Sequence, residues 1–252
     1  MGVEKDRKTR FIRGVYNYCD RWCERCPLTH RCLLFHQETQ LRAATLSGVA
    51  DDDEEEDDWG NVLNSLKETF QQTRAMVEEK AEEMGVDLSK ETLDRIEVQQ
   101  QRKRKKIAKH PLRVKSHKWA MDCHRLLEKL STLIHEQERL GEFTENLAEL
   151  QESFLVLSWY HMQIAVKIDR ALHGLRMKED MPPRASHDAK GSAKVAFLGI
   201  SRCLDALTKF YELYQPMHTE IMPLLSVLYE MMEEVDQTFP GHRNFKRPGF
   251  DD

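Results

Sequence analysis

Between residues 147 and 171, Leu147, Leu150, Phe154, Leu157, Ile164, Ile168 and Ala171 recur on one line at alternating steps of three and four, with His161 among them. That spacing describes one face of an α-helix and does not fit the two-residue repeat of a strand. Inside it, Phe154-Leu155-Val156-Leu157-Ser158-Trp159-Tyr160-His161-Met162 is apolar nearly all round. Two neighbours cannot cover such a helix, so it is expected at the centre of a bundle, with contacts on three or more sides.

The flanking segments supply those neighbours. Lys115 to Leu140 presents Trp119, Cys123, Leu126, Leu130 and Leu133 at helical spacing, and Gly141 ends it. Thr144 is a suitable N-cap for the central helix, which runs to about His173 before Gly174. After Met181-Pro182-Pro183, residues 186–214 place Val195, Leu198, Cys203, Ala206, Phe210 and Leu213 on one face. In that helix the small residues Gly191, Ala193, Ala196 and Gly199 permit close approach by a neighbour. Pro216 opens a last helix carrying Leu224, Leu228, Met231 and Val235. The expectation is an all-α fold, an antiparallel bundle of about four core helices over residues 111–237, with residues 238–252 as a flexible tail.

The strongest chemical signal lies near the N-terminus, where Cys19, Cys23, Cys26 and Cys32 are spaced C-x3-C-x2-C-x5-C. Soft thiolate donors this close together favour an iron–sulfur cluster or zinc over hard cations. Cys19, Cys23 and Cys26 also fall at i, i+4 and i+7 on the face of Ile12, Val15 and Tyr16, so residues 5–26 read as a helix, and three buried thiols facing a core is the plainer reading. Cys32 lies beyond Pro27, and a fourth cysteine folding back onto that face is what a metal site needs. Zinc leaves room for His30 or His36 as a replacement ligand. Leu33, Leu34 and Phe35 form an apolar clamp that, with Trp22, would dock this segment on the C-terminal bundle.

The stretch Cys23-x2-Cys26-Pro27-x4-Cys32 resembles the cluster-ligating end of the Cas4/AddB family of iron–sulfur nucleases. The resemblance implies a [4Fe-4S] cluster on the four cysteines. It covers barely ten residues, and without an Asp…Glu-x-Lys constellation on strands it does not carry nuclease activity with it. Cys19-x3-Cys23-x2-Cys26 also matches the cysteine triplet of radical SAM enzymes, but nothing downstream reads as the βα repeats of those barrels. In the C-terminal half, Trp159-Tyr160…Val166-Lys167-Ile168-Asp169-Arg170-Ala171-Leu172 and Asp188-x2-Gly191-Ser192-Ala193-Lys194-Val195-Ala196 are similar to uncharacterised bacterial proteins, which implies no activity.

Residues 1–47 are thus expected as a cysteine-rich metal segment and 48–58 as an acidic linker kept disordered by eight adjacent carboxylates, Asp51 to Asp58. Residues 59–110 read as polar helices, one from Trp59 to Met84 with a thin stripe of Val62, Leu66, Phe70, Thr73 and Val77. A second starts near Asp87 or Ser89 and ends in the basic run Arg102 to Lys109. That run lacks interleaved aromatic residues, and the net charge of −5 argues against general nucleic-acid or anionic-membrane affinity, so another protein is the expected partner. No apolar run reaches the ~20 residues that span a bilayer and the N-terminus carries no signal-peptide pattern, so a reducing cytoplasm is the expected location.

The sequence carries no recognisable catalytic motif. No histidine follows a glutamate by three residues, and neither His-Glu-x2-His nor the glycine-rich phosphate, dinucleotide and nucleophile-elbow motifs occur. The remaining candidate cofactor site is a polar group around His161 with Asp169, His187 and Asp188, weighed against a core histidine satisfied by a hydrogen bond. The expected function is a cysteine-ligated metal protein acting as a binding or adaptor protein, the alternative being an iron–sulfur redox protein or enzyme with a second site near His161.

Overall fold

The computed structural model describes residues 10–48, 58–140, 146–176 and 182–251. The acidic run before Asp58, Thr144 and the breaks at 141–145 and 177–181 lie outside the described residues. Among the described residues the chain is all-α: α1 (Leu33–Gly48), α2 (Asp58–Glu83), α3 (Lys90–Ala108), α4 (Pro111–Leu140), α5 (Leu147–Arg176), α6 (Pro182–Leu213) and α7 (His218–Thr238), with no strand. None of these helices is long and apolar enough to cross a membrane.

The chain divides into two compact units, 34–103 and a second formed by 1–33 with 104–252. The cysteine-bearing residues therefore belong with the bundle rather than forming a segment of their own to residue 47. In the unit 34–103, Asp87 accepts hydrogen bonds from the Ser89 amide at 2.8 Å and from the Thr92 hydroxyl at 2.6 Å. Those bonds hold the Asp87 carboxyl down to about 2 and fix the start of α3. Leu66, Phe70 and Val77 on α2 and Leu93 and Ile96 on α3 are exposed.

In the other unit α4 to α7 form a ring in which each helix packs against the next and α7 returns to α4. Cross-links fix the directions. His117 and His124 of α4 meet Asp169 and His161 of α5, Gly199 of α6 faces Ile164 of α5, and Lys115 and Lys129 of α4 pair with Glu230 and Glu220 of α7. Each pairing runs antiparallel, giving an up-down-up-down bundle. Its core contains Trp119, Leu157, Tyr160, Ile164, Ile168, Ile200, Leu207, Phe210 and Leu228, each at most 1% exposed. The Trp119 indole N–H donates to the Leu224 carbonyl at 3.1 Å, next to Pro223 inside α7.

The C-terminal stretch is not a flexible tail. Phe239 is 1% exposed, His242 is 1% exposed, and Phe245 is buried with Tyr18 and Val195. A bundle end needs cover for its apolar rim, and these aromatic residues provide it.

Candidate functional site

The expected helix through Cys19, Cys23 and Cys26 is not formed. Residues 11–32 instead fold through three short three-ten turns, Val15–Asn17, Cys23–Arg25 and Thr29–Arg31. Gly14 at φ +78 and Arg21 at φ +59 sit in the left-handed region, which no helix interior accommodates. The Ile12 amide donates to the Arg31 carbonyl at 3.0 Å and closes the segment on itself.

One face of α5 holds this fold in place. Lys167 donates to the Cys19 carbonyl at 3.0 Å, the Trp159 indole N–H to the Asp20 carbonyl at 2.9 Å, and Arg170 to the Asn17 carbonyl at 3.2 Å. Gln163 also donates to the Asp20 carbonyl. These donors, with Glu152 and Tyr160, recur at helical spacing along α5. They satisfy carbonyls that a helix would have used internally, which is why the segment need not be helical.

The Asp20 carboxylate is the hub. Its Oδ2 accepts from the Tyr160 hydroxyl and from Arg202, each at 2.5 Å, and its Oδ1 from the Trp22 amide at 3.3 Å. Trp22 stacks on Trp159 with centroids 5.2 Å apart and planes 15° apart, and Arg25 lies 4.0 Å over the Trp22 ring while pairing bidentately with Glu152. On the opposite side Tyr18 packs edge-on to Phe245 at 4.7 Å, and its hydroxyl is hydrogen-bonded with His187 Nδ1 at 3.3 Å. Of the docking expected from Trp22 with Leu33, Leu34 and Phe35, the part through Trp22 is present, while Leu34 and Phe35 belong to the unit 34–103.

The cysteines divide into two groups. Cys19, Cys23, Cys26 and Cys32 are partly buried, whereas Cys123 and Cys203 are fully buried in the bundle. Burial pushes the Cys123 thiol up to about 12 and raises Cys203 well above the ordinary value. Burial also raises Cys19, against which the Arg21 amide and the Lys167 ammonium act to favour thiolate. The Leu28 amide donates to Cys26 Sγ at 3.4 Å. Cys19 Sγ in turn donates to the Tyr16 carbonyl at 3.5 Å. Among the described residues no group of three or more His, Cys, Asp or Glu is arranged to hold one metal ion.

The polar residues proposed around His161 are not brought together. His161 is 8% exposed, its Nδ1–H donates to the Leu157 and Ser158 carbonyls at 3.0 and 2.9 Å, and its ring stacks on His124. This is a core histidine satisfied by its own helix, with Nε2 left unpartnered. Asp169 pairs with Arg113 at 2.9 Å and His117 at 3.0 Å, His187 serves Tyr18, and Asp188 serves Arg170. Sequence reasoning missed Asp20 and Lys167; the available signal was a lysine in the middle of an otherwise apolar helix.

A cleft of about 530 Å³ opens beside Cys26, between the cysteine segment, α5, α6 and the C-terminal residues. No protein-family profile, curated protein or solved structure matches this chain.

Proposed function

We propose that this chain is a metal-cofactor protein in which Cys19, Cys23, Cys26 and Cys32 hold an iron–sulfur cluster as thiolates, and in which the helical body presents that centre to a protein partner. The observation that carries the reading is Lys167. Its side chain is 8% exposed, its ammonium donates to a carbonyl of the cysteine segment, and no carboxylate pairs with it among the described residues. Burial pushes the Lys167 ammonium below its ordinary value, and the charges of Cys19 and Asp20 act against that shift, so negative charge on the cysteine segment stabilises it. Cysteine thiolates beside Cys19 provide that charge, because a coordinating thiol is deprotonated by its metal.

Iron is favoured over zinc on the ligand spacing: C-x3-C-x2-C-x5-C lacks the two C-x2-C knuckles of a zinc ribbon and brings four thiols within fourteen residues. A protein partner is supported by the exposed Leu66, Phe70, Val77, Leu93 and Ile96 on α2 and α3. The redox alternative draws support from the stacked Trp22 and Trp159, which put conjugated rings next to the cysteine segment.

Anaerobic purification with visible absorption and analysis of iron, sulfide and zinc tests the reading. About four irons and four sulfides per chain are expected, and bleaching by dithionite would favour the redox alternative. Stoichiometric zinc would replace the cluster with a structural metal, and a fully folded protein devoid of both metals would overturn the reading.

A further inference from the structure

The cleft beside Cys26 has a volume of about 530 Å³, within the usual range of small-molecule sites. Arg25, Arg202, Lys209 and Arg247 reach its wall from the cysteine segment, α6 and the C-terminal residues. The three arginines are held in place twice over. Arg25 lies 4.0 Å over Trp22, Arg202 5.1 Å over Tyr160 and Arg247 4.9 Å over Phe250. Each is also tied to a carboxylate, Glu152, Asp20 and Asp251 respectively.

What the cleft has left to offer is hydrogen-bond donors. A guanidinium carries five N–H groups, and these carboxylates engage no more than two on any of the three arginines. Two of the three lining carboxylates are engaged: Asp20 serves Tyr160, Arg202 and the Trp22 amide, and Glu152 gives both oxygens to Arg25. Lys209 has no hydrogen bond or ion pair among the described residues, and the one lining acid in the same condition is Asp205. Pre-oriented guanidinium forks with spare donors, next to the exposed Lys209 ammonium, whose charge reaches Glu152 without an ion pair, match the oxygens of carboxylate or phosphate.

We propose that this cleft binds a small multivalent oxyanion, a phosphate ester or a polycarboxylate, with its charged head on Lys209, Arg202 and Arg247 and its body against Val156, Ala206 and Phe250. The site is made of its own side chains and does not depend on the metal reading. Isothermal titration of the full chain with pyrophosphate and with citrate, at matched ionic strength, tests it. Saturable one-to-one binding is expected with a dissociation constant below ~1 mM. Lys209→Gln is expected to weaken it by about tenfold, Asp205→Asn to tighten it, and Lys90→Gln, on exposed α3, to leave it unchanged. The tighter probe assigns the head group as phosphate or polycarboxylate. Absence of saturable heat with both probes, or one constant shared by the wild type, Lys209→Gln and Asp205→Asn, would overturn the proposal.

Discussion

Gly191→Ala is the sharpest probe of how the cysteine segment sits on the bundle, because the two opposing physical terms have opposite signs. Gly191 lies inside α6, where replacing glycine with alanine ordinarily stabilises by ~1 kcal/mol. Here a Cβ would stand 2.4 Å from Cδ1 and Cε1 of Tyr18 and 2.7 Å from Cζ of Phe245, whereas carbon atoms rest at about 3.5–4.0 Å. Both rings would have to retreat by roughly 1 Å. Tyr18 has little room to do so. Its ring is edge-on to Phe245 and His187, and the neighbouring main chain is bonded to Arg170 at Asn17 and to Lys167 at Cys19. Overpacking of this kind costs about 1–3 kcal/mol. Set against the helical gain, the net expectation is a loss of about 1 kcal/mol, with Cys19 more open to solvent. Urea denaturation followed by near-ultraviolet circular dichroism should show a midpoint lowered by about 0.5 M. Maleimide labelling should show faster modification at Cys19. A raised midpoint with unchanged labelling would mean that Tyr18 does not occupy that space, and the docking described here would be wrong.

Serine at Cys19, Cys23, Cys26 or Cys32 should lower metal content, while Cys123→Ser and Cys203→Ser should retain it, as the latter two are fully buried thiols of the bundle; equal retention in all six variants would refute the division. Lys167→Met should lower metal occupancy without unfolding the bundle, read by metal analysis and far-ultraviolet circular dichroism, because it removes the compensating cation while keeping an apolar stem. Burial, aided by the His124 charge, pushes His161 below the ordinary value of 6.5, so the unfolded chain binds the extra proton first and stability present at higher pH is lost as pH falls below 6.5. His161→Leu should therefore flatten the dependence of the urea midpoint between pH 7.5 and 5.5, and an unchanged slope would show that His161 contributes nothing to it.

The bundle was legible because each of its helices carries a sustained three-and-four apolar pattern bounded by glycine or proline. The expected 115–140, 144–173, 186–214 and 216–236 correspond to α4 through α7 within a few residues at either end. The cysteine segment reads as a helix from sequence because Cys19, Cys23 and Cys26 mimic that spacing. Its actual path is set by side chains more than 130 residues away, Trp159, Gln163, Lys167 and Arg170, which capture its carbonyls. No local pattern encodes that capture. The C-terminal residues were misjudged for the same reason: Phe239 and Phe245 look like isolated aromatics until the bundle end and Tyr18 are in place to receive them. His161 sat on an apolar seam and resolved as the bland alternative, a histidine bonded to carbonyls three and four residues back. Asp20, the most heavily bonded carboxylate of the site, had no signal beyond its place between Cys19 and Trp22.

The central claim, that Cys19, Cys23, Cys26 and Cys32 act together as thiolate ligands, is tested most directly by mapping alkylation site by site before and after metal removal. Anaerobically purified protein is treated with iodoacetamide, then stripped of metal and treated again, with peptides identified by mass spectrometry. The account predicts that the four cysteines are protected in the first treatment and modified together in the second, while Cys123 and Cys203, fully buried, react only on denaturation. Four cysteines that alkylate at the same rates before and after stripping would contradict it.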